Sequence, residues 1–187
     1  DLLALDKWTL QDFDGKLEYI ARSEYTGSTT HFNFGSISES SYSTHILVVE
    51  NAHTVNDGQE IWLRFSTDNL STAIATGYKW TQNFGDSGPN HSSSRSQNSS
   101  RITLASAVGN DAYECANGVI WLYNLGDSAL QSHCTFEFSV RDQNARNRYH
   151  FGGGALNNNN TINGLQVIPG SGNFNNGSAT LYGLARA

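Results

Sequence analysis

The sequence has little of what builds helices, membrane spans or nucleic-acid interfaces. Charged residues make up only 15% of the 187 residues and hydrophobic residues 37%. No apolar stretch approaches the roughly 20 residues that span a bilayer. The formal net charge of -6 opposes binding to phosphate backbones and to anionic lipid surfaces. We therefore expect neither nucleic acid nor a membrane as a partner.

The residues that usually cover helix surfaces, namely Ala, Glu, Lys and Leu, are not abundant. Asn, Ser and Thr are common instead, together with 18 Gly. That composition favours many turns and exposed polar strand faces. A chain of this length suits a single antiparallel β domain.

Methionine is absent, and there are only two cysteines, Cys115 and Cys134. The segment between them is predicted to be a hairpin that turns near residues 124–127. That register places Cys134 opposite about position 119. Position 119 is four residues from Cys115, which is about 13 Å along an extended strand. A disulfide needs Cα atoms within about 7 Å. We therefore expect two free thiols, which is compatible with assembly in a reducing cytoplasm.

Alternation of apolar and polar residues predicts strands in most of the chain. The cleanest run is residues 133–141, where Cys134, Phe136, Phe138 and Val140 share one face. Residues 60–66 repeat this pattern, and the β-branched run in 44–50 predicts a central strand covered on both faces. Further strands are predicted at residues 17–21, 31–34, 74–81, 101–108, 118–124, 162–168 and 178–184. Turn signals separate them at residues 56–58, 85–88, 126–128, 152–154 and 175–177.

About ten short strands at this spacing predict an all-β, antiparallel, jelly-roll-like β-sandwich. We expect residues 31–187 to form the sandwich and residues 1–30 to form an N-terminal arm, with Trp8, Leu10 and Phe13 as its anchors. Short helices are expected only in the first ten residues and at 109–117. The polar segments 86–100 and 157–160 are predicted to be exposed loops.

The sequence contains no recognisable catalytic or metal-ligating motif. Gly152–Gly154 lacks the Lys and hydroxyl residue of a phosphate loop, and residues 170–172 do not form a nucleophile elbow. Glycosidases need two convergent carboxylates, and the sequence does not indicate which of Glu60, Glu114 and Glu137 converge. Zinc-type spacing is also absent among the six histidines, His31, His45, His53, His91, His133 and His150. We expect no enzyme activity, no cofactor and no metal.

Two groups of residues fit binding surfaces. Trp62 is predicted to point away from the main core face, where it fits a sugar platform or, more commonly, a contact with a neighbouring subunit or second layer. The other tryptophans are Trp8, Trp80 and Trp121. The basic cluster of Arg141, Arg146 and Arg148 fits either a solvated loop or a contact with an acidic partner.

The C-terminal segment carries a resemblance to a known family. Residues 171–184 contain Ser171-Gly172-Asn173-Phe174, then Gly177-Ser178, then Leu181-Tyr182-Gly183-Leu184. This segment resembles the closing hairpin of a family of phage virion proteins. Tyr42-Ser43-Thr44-His45-Ile46, Leu63-Arg64-Phe65-Ser66-Thr67-Asp68 and Ile120-Trp121-Leu122-Tyr123-Asn124 resemble earlier strands of that family, in the same order. The resemblance covers roughly residues 31–185.

The resemblance implies a jelly-roll-like domain on a virus particle, without catalytic residues. We expect a virion structural protein, first of all a capsid decoration or cement protein that stabilises the head through inter-subunit contacts. Its expected partners are the major capsid protein or tail proteins and further copies of itself, with a trimer as the expected oligomer. The alternative is a tail fibre or adhesin module that binds host carbohydrate. A glycan lyase or hydrolase is a third and weaker alternative.

Overall fold

The computed structural model describes residues 16–37 and 41–185, and these residues form strands but no helix. No helical segment in this part of the chain therefore has the length and apolar character that crossing a membrane requires. The helix expected in the first ten residues, and the anchors Trp8, Leu10 and Phe13, lie outside the described residues. The strands are β1 (Leu17–Tyr25), β2 (Phe32–Phe34), β3 (Tyr42–Thr54), β4 (Gln59–Ser66), β5 (Tyr78–Asp86), β6 (His91–Ser99), β7 (Ile102–Val108), β8 (Ala116–Tyr123), β9 (His133–Arg141), β10 (Asn147–Leu156), β11 (Gly164–Pro169) and β12 (Phe174–Ala185).

The strands form two antiparallel sheets packed together. The larger sheet has the order β1-β12-β3-β8-β9-β10-β5-β6, and the smaller sheet has the order β2-β11-β4-β7. One hydrophobic cluster fills the space between them, with Leu47, Ile120 and Phe136 from the larger sheet and Leu63 and Val167 from the smaller. Burying each such side chain contributes roughly 1.5–3 kcal/mol. The predicted all-β, jelly-roll-like sandwich is confirmed.

The alternation seen in the sequence corresponds to burial in the structure. Cys134, Phe136, Phe138 and Val140 of β9 are all buried. The strand predicted at residues 44–50 is central, because β3 lies between β12 and β8. Its second face is only half covered in this chain, however, since alternate residues of β3 are buried and the residues between them are not.

Part of the predicted N-terminal arm forms a strand at the edge of the larger sheet. β1 pairs antiparallel with β12, from Leu17 opposite Leu184 to Tyr25 opposite Gly177. A β-bulge between Tyr19 and Ala21 shifts this register. Residues 1–15 of the predicted arm lie outside the described residues.

Both cysteines are free, as predicted. The predicted register was wrong, since Cys134 lies opposite Leu122 and not opposite position 119. The reason is the connection between β8 and β9, which takes up residues 124–132 instead of a four-residue turn. Cys115 lies beside Arg141, because the backbone N–H of Arg141 donates a hydrogen bond to the carbonyl of Cys115. The two cysteines are thus separated by about 23 Å along β9.

Two segments predicted to be turns are parts of strands. Gly152–Gly154 lies inside β10, where a Cβ on Gly152 would meet Phe136 and a Cβ on Gly154 would meet Ile102. These glycines therefore make room for large core residues. Asn175-Asn176-Gly177 lies inside β12, where Gly177 has a φ of 126° at a β-bulge against β3. The actual turn before β12 includes Gly172, with a φ of 67°.

The other predictions of irregular structure were partly wrong. Residues 109–117, predicted as a short helix, form a turn that leads into β8. Residues 157–160 do form a loop, as predicted. Residues 86–100, predicted as a mobile loop, instead provide β6, which pairs with β5. A strand at the edge of a sheet needs backbone hydrogen bonds but no apolar residues, so its polar composition gave no signal.

A buried carboxylate holds the turn of the β5–β6 hairpin. The side chain of Asp86 is inaccessible to solvent and accepts hydrogen bonds from the side-chain amide of Asn90 at 2.6 Å and from the backbone N–H of Gly88 at 2.8 Å. Arg146 pairs with Asp86 at 3.3 Å. The hydrogen bond from Asn90, with smaller contributions from Gly88 and Arg146, lowers the pKa of Asp86 to about 2.

These contacts also account for the predicted basic cluster. Arg146 bonds Asp86, Arg148 bonds Asp142 at 3.0 Å, and Arg141 donates to Asn147 at 3.2 Å. The guanidinium of Arg148 is largely buried and lies over the ring of Phe84. Arg146 and Arg148 therefore both form ion pairs within the chain. The loop interpretation fits Arg146, which lies in the connection between β9 and β10 with its side chain 41% exposed, but it does not fit Arg148 in β10.

The C-terminal motif has a packing role. Gly183 of β12 lies against the ring of Tyr42 of β3, and a Cβ at position 183 would overlap that ring. The Tyr42 hydroxyl donates to Glu18 of β1 at 2.8 Å, and its ring lies edge-on against His45. Tyr42 thus ties together three neighbouring strands of the larger sheet.

Substituting Gly183→Ala tests this packing. We expect the free energy of unfolding to fall by about 1–3 kcal/mol, because the added methyl group must displace the Tyr42 ring. Denaturant unfolding measures the change. Gly27→Ala is the matched control, since a Cβ at Gly27 meets nothing within 4 Å. Equal stability of the two variants would contradict the assigned role of Gly183.

Acid unfolding tests the role of Asp86. Because the folded-state pKa of Asp86 lies below the ordinary value of 3.8, its ionised form stabilises the fold above that pH. This stabilisation is lost as the pH falls toward about 2. We expect Asp86→Asn to be less stable at neutral pH and to show a weaker loss of stability between pH 4 and pH 2. Thermal unfolding across this range measures it, and the exposed Asp57→Asn should retain the wild-type profile.

Candidate functional site

The described residues leave one face of the larger sheet open. The smaller sheet covers the opposite face, so alternate residues of β1, β12, β3, β8, β9, β10, β5 and β6 point away from the core. We call this open side the outer face. Of the nine exposed large hydrophobic residues in the described part of the chain, five lie on it, namely Leu17, Tyr19, Trp121, Tyr149 and Phe151. Such a concentration is typical of a contact surface.

A groove crosses the outer face from β8 to β6. Its central row is defined by pairing between adjacent strands, and it consists of Trp121, Thr135, Gly153, Thr81 and Arg95. The three middle residues have small side chains or none, so the row forms a shallow floor. Four strand spacings separate Trp121 from Arg95, which gives a length of about 19 Å.

Larger side chains line the groove on both sides. Phe151 and Glu137 flank the central row on one side, and Tyr123, His133 and Lys79 flank it on the other. Two adjoining depressions, of about 540 and 590 Å³, share Thr81, Tyr123, Thr135 and Gly153. These volumes lie within the range of ordinary ligand sites.

The groove combines exposed aromatic rings with polar groups. Trp121 is 41% exposed, and the hydroxyl groups of Tyr123 and Thr135 are 3.3 Å apart. Lys79 and Arg95 also line it, whereas Glu137 is the only carboxylate among the described residues that do so. Hydrolysis of a glycosidic bond by paired carboxylates requires two. The described lining of the groove thus supplies aromatic, cationic and hydroxyl groups and one carboxylate.

The three carboxylates considered from the sequence do not converge. Glu60 contacts Trp62 on the smaller sheet, and Glu137 lies on the outer face of the larger one. Glu114 is buried in the turn before β8 and accepts a hydrogen bond from the backbone N–H of Asp111 at 3.0 Å. They occupy three separate regions of the molecule.

Trp62 points away from the core, as predicted, but its ring is covered. The guanidinium of Arg101 lies 3.7 Å from the ring centre, and Arg101 also pairs with Glu60 at 3.6 Å. A sugar would have to displace this cation to stack on that side of the ring. Among the tryptophans that the structure describes, the exposed one is Trp121, which the sequence did not single out. The alternation of residues along β8 could have identified Trp121 as outward-facing, because its neighbours Ile120 and Leu122 are buried.

The histidines belong to no cluster of potential metal ligands among the described residues. Within residues 16–37 and 41–185, no group of three or more His, Cys, Asp or Glu side chains is placed to hold a metal ion. His45 and His150 are fully buried, and burial lowers the pKa of each to about 4. Both are therefore neutral core residues near neutral pH.

A separate depression, of about 480 Å³, lies at one end of the sandwich and is lined by Asn51, His53 and Tyr113 among others. His53 contacts the carbonyl of Asp111 at 3.0 Å, and the side-chain oxygen of Asn117 accepts from the Asn51 backbone at 2.8 Å.

Comparison with known proteins does not bear on this site. No family model matches the chain, and no curated protein matches it. The resemblance of residues 31–185 to phage virion proteins therefore stays a prediction.

Proposed function

We propose that the chain is a virion structural protein, a capsid decoration or cement protein, that attaches through the outer face of its larger sheet. The observation that supports this most is an apolar strip at the β1–β12 end of that face, formed by Leu17, Tyr19, Tyr182 and Leu184. Exposed apolar patches of this kind mark interaction surfaces. The resemblance of residues 31–185 to phage virion proteins supports a position on the particle.

The apolar strip is built as a contact surface. Leu17 lies opposite Leu184, and Tyr19 lies opposite Tyr182 with their rings edge-on, 6.3 Å apart. Leu17 is 49% exposed, and Tyr19 is more exposed still. Tyrosine has few rotatable bonds, so its ring can be buried against a partner at a small cost in entropy.

The proposed mechanism is stabilisation by burial. Burying apolar area contributes about 25 cal/mol per Å², from which the entropic cost of association is subtracted. A stable contact buries about 800 Å² on each partner. The proposed partners are the major capsid protein and further copies of this chain, with a trimer as the expected oligomer. No catalytic step is part of this proposal.

The double variant Leu17→Ser, Tyr19→Ser tests this function. We expect at least about a tenfold loss of affinity for phage heads that lack the protein, because central contact residues each contribute about 2 kcal/mol. Folding should be unaffected, since both side chains are exposed. Co-sedimentation with heads measures affinity, and light scattering measures the oligomer.

Leu130→Ser is the matched control, because Leu130 is 51% exposed but lies in the β8–β9 connection. It should bind heads as the wild type does. Wild-type affinity in the double variant, or no binding by the unmodified protein to heads or tails, would overturn the proposal.

A second candidate function is that of a tail fibre or adhesin module that binds host carbohydrate. The groove favours it, because the rings of Trp121 and Phe151 offer flat surfaces for sugar C–H groups. Thr81, Thr135 and Asn83 place hydroxyl and amide groups beside them. Jelly-roll folds serve both in capsids and in lectins. The apolar strip and the groove occupy different parts of the outer face, so the two functions are compatible.

Trp121→Ala tests the carbohydrate function. We expect its affinity for host cell-surface polysaccharide to fall by about tenfold, because a buried aromatic contact commonly contributes well over 1 kcal/mol. Affinity electrophoresis in polysaccharide gels measures the change. Tyr113→Ala is the control, since Tyr113 is 91% exposed and lies outside the groove. Equal mobility of both variants would count against the groove as a sugar site.

A further inference from the structure

We infer that the groove binds an acidic polysaccharide, with the carboxylate groups of the sugar held by Lys79 and Arg95. This inference rests on the proposed carbohydrate function and specifies its ligand. The observation behind it is the position of two cations at one end of a row of hydroxyl-bearing and glycine residues.

Lys79 and Arg95 are neighbours on the outer face. Arg95 of β6 lies directly opposite Thr81 of β5, and Lys79 precedes Thr81 by two residues, so the two cations share one face of adjacent strands. Both line the same depression, together with Gln97 and His133. Their side chains can therefore reach one bound group.

No carboxylate in the described part of the chain neutralises either cation. Among the described residues, Lys79 and Arg95 form no ion pair, whereas Arg22, Arg146 and Arg148 each pair with a carboxylate. Glu137, the carboxylate of the groove, lies three strands away from Arg95, at about 14 Å. That separation exceeds the screening length of about 10 Å at 0.1 M salt. Glu137 also accepts a hydrogen bond from the hydroxyl of Tyr149, and this bond raises the pKa of Tyr149.

The charge of the groove contrasts with that of the chain. The formal net charge is -6, yet the cationic end of the groove carries two positive side chains that pair with no described carboxylate. A neutral sugar can only accept hydrogen bonds from them, while a carboxylate also gains charge attraction from both. Charge complementarity therefore favours an anionic ligand.

The shape of the groove favours a polysaccharide over a protein segment. The cores of protein interfaces are apolar and depleted in charge. The central row between Trp121 and Arg95 instead carries two threonine hydroxyls and a glycine, open along about 19 Å. An extended sugar chain fits with ring faces against Trp121 and Phe151, hydroxyls near Thr81 and Thr135, and carboxylates near the cations.

The test compares acidic polymers with their own neutral forms. Polygalacturonate, alginate and polysialic acid are each titrated against the whole protein, beside carboxyl-reduced samples of the same polymers, at 0.05 and 0.5 M NaCl. At low salt we expect at least one acidic polymer to bind about tenfold more tightly than its reduced form, with the difference shrinking at high salt.

The variants Arg95→Gln and Lys79→Gln should each reduce this preference while leaving affinity for the reduced polymer unchanged. Lys16→Gln is the matched control, because it removes the same charge immediately before β1, which lies at the opposite edge of the sheet. It should leave the preference intact.

Equal binding of acidic and reduced polymers, with both weakened by Trp121→Ala, would overturn the acidic inference while supporting the sugar site. Binding of none of the polymers would overturn both. An acidic preference that survives in the double variant Lys79→Gln, Arg95→Gln would show that these cations do not hold the carboxylates, and so would overturn the inference. The inference is supported if Lys16→Gln keeps the acidic preference while the Lys79→Gln and Arg95→Gln variants lose part of it.

Discussion

The fold depends on the burial of one face of an eight-stranded sheet beneath a four-stranded one. Because side chains alternate along every strand, filling the interior with residues such as Ile120 and Phe136 forces Val119, Trp121 and Glu137 to the other side. The smaller sheet covers one side only, and nothing in the described chain covers the outer face. Exposure of aromatic rings there is a direct consequence of this unequal pairing of sheets.

Glycine decides how closely the two layers can pack. Gly152 and Gly154 of β10 leave room for Phe136 and Ile102 on the core side of the strand. Gly153 lies between them and adds no side chain to the outer side of β10. One run of three residues therefore serves the core on one side and forms the floor of the groove on the other. Gly183 has a related role, because the Tyr42 ring occupies the space that its Cβ would need. Gly183 of the C-terminal motif thus serves packing, whereas Tyr182 and Leu184 of the same motif lie in the apolar strip.

The outer face divides into two parts of different chemistry. The apolar strip around Tyr19 and Tyr182 lies at one edge and carries the proposed attachment to a virus particle. The groove lies toward the other edge, with Trp121 at one end and Arg95 at the other. Arg146 and Arg148 form ion pairs with Asp86 and Asp142, whereas Lys79 and Arg95 form none with the residues that the structure describes. Both proposed functions use the rigidity of strands to hold side chains in place without any catalytic group.

The sequence by itself determined the strands in which apolar and polar side chains alternate. Alternation in β9 and β4, and the turn at residues 56–58, could be recognised because apolar residues must face one interior. It could not reveal β6, whose pairing depends on backbone groups that every residue has, nor that Gly152–Gly154 lies within a strand. The groove was also beyond it, because Trp121, Gly153 and Arg95 belong to different strands and meet only through the register between them. Register and sheet order arise from the packing of the whole chain, so only the tertiary structure could place these residues in one row.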